Sequence, residues 1–97
     1  MAEEEGGPVR YKLNLEKSCF DFLDSLDKKQ FKQVMVKVLK LLVEPFPPDS
    51  KKLEGVQEGR RADQGEYRIL YRVDQGRQEV QVWRIGKRNS DEVYRNL

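Results

Sequence analysis

Gly65-Glu66-Tyr67-Arg68-Ile69-Leu70-Tyr71-Arg72-Val73-Asp74-Gln75-Gly76-Arg77, running on into Glu79-Val80-Gln81-Val82-Trp83-Arg84-Ile85, decides the fold of this chain. Tyr67, Ile69, Tyr71 and Val73 alternate with Arg68, Leu70 and Arg72, the period of two that defines a strand. Gln64-Gly65-Glu66 reads as a turn before it, and Asp74-Gln75-Gly76-Arg77 has the composition of a hairpin turn after it. Val80 to Ile85, rich in β-branched and aromatic residues, supplies the next strand. Upstream, residues 59–62 form a further short strand. Lys51-Lys52-Leu53-Glu54-Gly55 makes a compact basic corner, and Phe46-Pro47-Pro48-Asp49-Ser50 a loop.

The N-terminal half has a different period. Val9, Tyr11, Leu13 and Leu15 alternate with Arg10, Lys12 and Asn14, a half-buried strand. Cys19, Phe22, Leu23 and Leu26 then fall on one face of a short helix. Asp27 followed by Gln30 resembles a capping box and starts a second helix. The apolar stripe of that helix is Phe31, Val34, Met35, Val38, Leu41 and Leu42, and Lys29, Lys32, Lys37 and Lys40 read as its solvated side. Glu44-Pro45 ends it, because a residue before proline avoids helical angles. The order is β-α-α-β-β-β, an α+β fold with a helical hairpin on one face of an antiparallel sheet and a short C-terminal helical turn near Ser90 to Arg95. Residues 1–8 read as a flexible acidic tail and residues 9–97 as one domain.

Composition narrows the chemistry. The chain has 97 residues and no histidine, which excludes a Ser-His-Asp triad, a zinc site of ordinary type and a histidine-based nuclease. One cysteine, Cys19, excludes an internal disulfide and reads as a small buried hydrophobe. Residues 1–9 hold three acids and no base, so the formal net charge of +2 becomes +5 for the rest of the chain, a body that attracts phosphate. The N-terminus lacks a hydrophobic stretch, no apolar run approaches the roughly 20 residues that span a bilayer, and the expected location is cytoplasmic.

Two arginines and a phenol stand where they can converge on a polyanion. Arg68 lies on the first strand quoted, Arg88 in the corner Gly86-Lys87-Arg88 after the second, and Tyr94 six residues on. The planar donor fork of a guanidinium matches phosphate oxygens. Each feature also has a plainer reading. Exposed arginines on a solvated sheet face are common, a basic turn can simply close a strand, and a C-terminal tyrosine can pack on a core. Trp83 and Tyr71 read as structural, and Lys51-Lys52 as a soluble loop.

The succession Lys52-Leu53-Glu54-Gly55, Gly65-Glu66-Tyr67-Arg68, Gly86-Lys87-Arg88 and Val93-Tyr94 resembles the RelE branch of the RelE/ParE toxins, over roughly residues 9–97. The resemblance implies the toxin of a type II toxin–antitoxin system, a metal-independent and cofactor-free endoribonuclease that cuts messenger RNA in the ribosomal A site. In such enzymes the RNA 2′-hydroxyl attacks the adjacent phosphate. The implied catalytic residues are Arg61, Arg68, Arg88 and Tyr94, and the implied RNA contacts are Lys51, Lys52, Arg60 and Lys87. Implied partners are a cognate antitoxin in a hetero-oligomer, messenger RNA and ribosomal RNA. The chain departs from the family pattern at Asp63, an acid where a second basic residue is expected. A ParE-like gyrase inhibitor and a non-catalytic RNA- or ribosome-binding domain are the alternative functions.

Overall fold

A computed structural model describes residues 10–89 of the chain. The acidic tail, Tyr94 and the helical turn expected near residues 90–95 lie outside the described residues. The order is β1 (Lys12–Leu15), α1 (Lys17–Asp24), α2 (Lys28–Leu41), β2 (Lys51–Lys52), β3 (Gly59–Gln64), β4 (Tyr67–Asp74) and β5 (Glu79–Lys87). The strands form one sheet in the order β1-β5-β4-β3-β2.

Two differences from the sequence reading concern the sheet. The basic corner contributes a two-residue edge strand, with Lys51 opposite Arg61 and Lys52 opposite Arg60. The sheet is also not wholly antiparallel, because β1 runs parallel to β5, Lys12 opposite Glu79 through Leu15 opposite Val82. Parallel neighbours need a long crossover. Here it runs through the helical hairpin and then β2, β3 and β4, and nothing in the local sequence of a four-residue strand reveals its direction.

The helices form for local reasons and are held by the sheet. The Asp27 side chain accepts a hydrogen bond from the Gln30 backbone N–H at 2.8 Å and caps α2, as its spacing implied. Cys19 and Leu23 of α1 and Val34, Val38 and Leu41 of α2 pack with Ile69, Tyr71 and Val73 of β4 and Val80, Val82 and Ile85 of β5. Phe31 sits at the rim of this stripe and is 42% exposed. Lys37 departs from the solvated helix face: its ammonium reaches the Asp49 carboxylate at 2.7 Å and ties α2 to the loop before β2.

Tyr71 is fully buried, and its hydroxyl donates to the Pro45 carbonyl at 2.7 Å. That bond fixes the exit of the helical hairpin against the central strand. Tyr71→Phe leaves a buried carbonyl without its donor and should cost about 1–3 kcal/mol in chemical denaturation, with the fold retained. Cys19 is also buried, and burial pushes its thiol up to about 11. It should resist alkylation at neutral pH in the native protein and react on unfolding, as followed by mass spectrometry.

Candidate functional site

The helices cover one side of the sheet, and the chemistry lies on the other. Paired strand residues share a face, so the registers order the open side into rows. Asp63, Arg68 and Gly86 form one row. Lys51, Arg61, Leu70 and Arg84 form the next. Arg72, Gln81 and Asn14 form a third. Leu70 is fully buried although it faces away from the helices, and it lies outside the main core cluster. Its cross-strand neighbours are Arg61 and Arg84, whose aliphatic stems have the length to cover it. A small apolar floor thus lies between guanidinium groups.

Asp63 is the centre of the first row. Arg68 Nε donates to one of its carboxylate oxygens at 2.7 Å and Arg68 Nη2 to the other at 3.0 Å, a bidentate pair across β3 and β4. The hydrogen bond from Arg68 holds the carboxyl below the usual aspartate range against the opposing effect of burial, and the charges of Arg68, Arg88 and Arg61 act in the same direction. The charges of three guanidinium groups therefore act on one carboxylate.

Arg88 reaches this group through the turn between β3 and β4. Gly65 has φ +62° with nothing near the position of an added Cβ, a backbone geometry that suits glycine as the first residue of a two-residue hairpin turn. The Arg88 backbone N–H donates to the Glu66 carbonyl at 2.9 Å, and its Nη1 lies 3.4 Å from the Gly65 carbonyl. The Gly65-Glu66 turn thus anchors the segment that follows β5. Tyr67 is a core residue, with its ring edge-on to Phe22 at 6.0 Å and burial raising its hydroxyl pKa.

The residues singled out from the sequence divide between the two faces. Arg61 and Arg68 lie in adjacent rows of the open side, Arg88 follows β5 beside the Gly65-Glu66 turn, and Lys51 stands in the row of Arg61. Arg60 and Lys52 do not join them: they align with Tyr71 in the helix-side row. Arg60 donates to Ser50 Oγ at 2.8 Å and lies 5.1 Å from the Phe46 ring centre, a structural arrangement at the sheet edge. Lys87 is exposed and aligns with the inward Tyr67. Tyr94 lies outside the described residues. The sequence reading missed Arg84. The clue was present, since the inward residues Val80, Val82 and Ile85 slip from a spacing of two to three, the mark of a bulge.

Among the described residues no group of three or more His, Cys, Asp or Glu side chains is placed to hold a metal ion. No helix among them is long and apolar enough to cross a membrane.

Residues 13–92 match the family described as the ParE toxin of type II toxin–antitoxin system, parDE, and the chain belongs to that family. Among solved structures it is similar to the archaeal RelE–RelB complex from Pyrococcus horikoshii OT3, with 27% identity and a TM-score of 0.73 over 82% of this chain and 97% of that one. It is likewise similar to the toxin–antitoxin complex RelBE2 from Mycobacterium tuberculosis, with 25% identity and a TM-score of 0.72 over 84% and 95%. The isolated E. coli RelE toxin shares the fold, with 24% identity and a TM-score of 0.71 over 87% and 90%. No curated protein sequence matches the chain.

The Asp63–Arg68 pair gives the fold a pH dependence of known sign. A depressed carboxyl contributes stability that is complete above its unfolded value, about 3.9, and is lost as pH falls through the lower folded value. Thermal melts of the wild type and Asp63→Asn should therefore differ most above about pH 4 and converge in stronger acid.

Proposed function

We propose that this chain is a RelE-like toxin that cuts messenger RNA on the ribosome, without a metal, by attack of the RNA 2′-hydroxyl on the neighbouring phosphate, which breaks the bond to the 5′-oxygen and leaves a 2′,3′-cyclic phosphate and a free 5′-hydroxyl. The observation that carries the reading is the bidentate Asp63–Arg68 pair on the open face, with Arg61 in the adjacent row and Arg88 held at the Gly65-Glu66 turn. A site that surrounds a carboxylate with guanidinium groups also suits a phosphate, and more so the added negative charge of the pentacovalent transition state.

In this reading Arg68 and Arg88 stabilise the developing charge and Arg61 supports them. Asp63 holds Arg68 by two hydrogen bonds, and its lowered pKa makes it a poor proton acceptor. Proton transfer falls to Tyr94 or to neighbouring carboxylates, with the phenol also able to orient the 2′-hydroxyl or stack on a base. Alignment of the scissile bond is left largely to the ribosome, so free RNA is a poor substrate. Lys51 extends the electrostatic attraction along the RNA, and the location is cytoplasmic.

The proposed partner in the resting cell is an antitoxin, acidic where it meets the arginine face. Its apolar surface covers the exposed Val36 and Leu39 of α2 and Val43 just beyond it. The RelE-containing complexes from P. horikoshii and M. tuberculosis support this expectation.

A second reading is favoured by the family match itself, whose description is that of a ParE toxin. It makes the chain a gyrase inhibitor on the same scaffold. A purified translation system separates the two when 5′ ends of the message are mapped. Cuts within translated codons are expected, and Arg88→Ala should reduce them about 100- to 1,000-fold while leaving circular dichroism unchanged. Intact messages together with inhibited DNA supercoiling would favour the gyrase reading.

A further inference from the structure

The open face holds a second feature that the arginine cluster does not use. In β5 the register passes from Arg84 opposite Leu70 to Val82 opposite Tyr71, and Trp83 is left without a cross-strand partner. Such a bulge turns two successive residues to one side. Trp83 and Arg84 both face away from the helices, while Val82 and Ile85 stay in the core. The indole is half-buried and packs at 5.6 Å from the guanidinium of Arg72. Arg72 is steadied in turn by the Gln57 carbonyl at 3.3 Å.

Beside this indole is a cavity of about 400 Å³, lined also by Asn14, Glu16, Val56, Arg72 and Gln81. Its walls combine one flat aromatic ring, two amides, a carboxylate and a guanidinium. The amides offer both donors and acceptors, and the carboxylate accepts only. Gln81 is oriented by Glu79, to which its Nε2 donates at 2.9 Å. That combination suits a flat heteroaromatic ring with donors and acceptors on its edge, stacked on one side and read along the other. Arg72 lies four residues along β4 from Arg68, about 13 Å at strand rise. A single strand whose phosphate lay at the arginine cluster would carry a nearby base across this cavity.

We propose that the Trp83 cavity is a nucleobase subsite that stacks an unpaired RNA base on the indole, with Asn14, Glu16 and Gln81 meeting the base edge. The inference rests on the nuclease reading for its ligand, and its test is independent of cleavage. The base comes either from the message beside the cut or from ribosomal RNA, and the two sources are separable.

Trp83 is the only tryptophan in the chain, so its emission reports on this cavity alone. The purified chain is titrated with single-stranded oligoribonucleotides carrying 2′-O-methyl groups, which block the attacking oxygen. Saturable quenching is expected. The variants, which lack this emission, are read by the anisotropy of a dye-labelled copy of the same oligoribonucleotide: Trp83→Ala should weaken binding by about 10-fold or more, whereas Trp83→Phe, which keeps an aromatic face, should retain most of it. Emission that stays unchanged at every RNA concentration, or an alanine variant that binds like the wild type, overturns the subsite. Translation assays with the same proteins then distinguish the possibilities. If the wild type cuts message but its indole is not quenched, the subsite falls and the nuclease reading stands. If the indole is quenched but nothing is cut, the reverse holds. A shifted cut pattern in Trp83→Ala assigns the base to the message. An unchanged pattern with weakened ribosome sedimentation assigns it to ribosomal RNA.

Discussion

Tyr67 to Asp74 pairs along both edges, with β3 on one side and β5 on the other, so its period of two is imposed on the strands around it. Ile69, Tyr71 and Val73 must face the helices. Arg68, Leu70 and Arg72 must then face away from them. Because Leu70 is apolar and fully buried, the away side also needs cover, and its cross-strand neighbours Arg61 and Arg84 are the groups placed to give it. Packing and chemistry are coupled at this point. Side chains that shield a leucine through their stems present their guanidinium heads on the same surface.

Electrostatics then decides how those heads are arranged. Clustered guanidinium groups repel one another, and an unbalanced group would favour splayed rotamers. Asp63 counters this from directly across the strand pair, fixing Arg68 in two hydrogen bonds and drawing on the fields of Arg88 and Arg61. Asp63 thus reduces the net charge of the site and also orders it. Both effects follow from the same contact, so a change at Asp63 alters attraction and geometry together.

The strongly periodic parts of the chain were legible in its sequence. The alternation around Ile69 and Tyr71, the cap at Asp27 and the helix stripe through Val34 and Val38 each rest on local chemistry, and the fold keeps them. The direction of β1 was not legible, since pairing with β5 depends on residues more than 60 positions away. The pairing of Lys51 and Lys52 as an edge strand is likewise non-local. In the site, Arg68 pairs with Asp63, Arg61 stands in the adjacent row, and Arg88 follows β5 beside the Gly65-Glu66 turn. Arg84 is hard to read from sequence because a bulge shows there only as a slip in spacing, and Lys37 reads as solvated by its position on the helix because its partner Asp49 belongs to the following loop. Trp83 was read as structural from residue type alone, whereas its place on the open face follows from register.

Adjacent basic residues show why composition is a poor guide to this surface. Arg60 and Arg61 are neighbours in sequence, as are Lys51 and Lys52, yet the sheet divides each pair between its two sides. Arg60 is held by Ser50 and stacked against Phe46, which makes it part of the edge that joins the loop to the sheet. Arg61, one residue further on, belongs to the group around Asp63. A strand therefore sorts charges as strictly as it sorts apolar residues. The effective charge of the site is set by which positions share a parity with Arg68, and much of the chain's basic excess serves other surfaces.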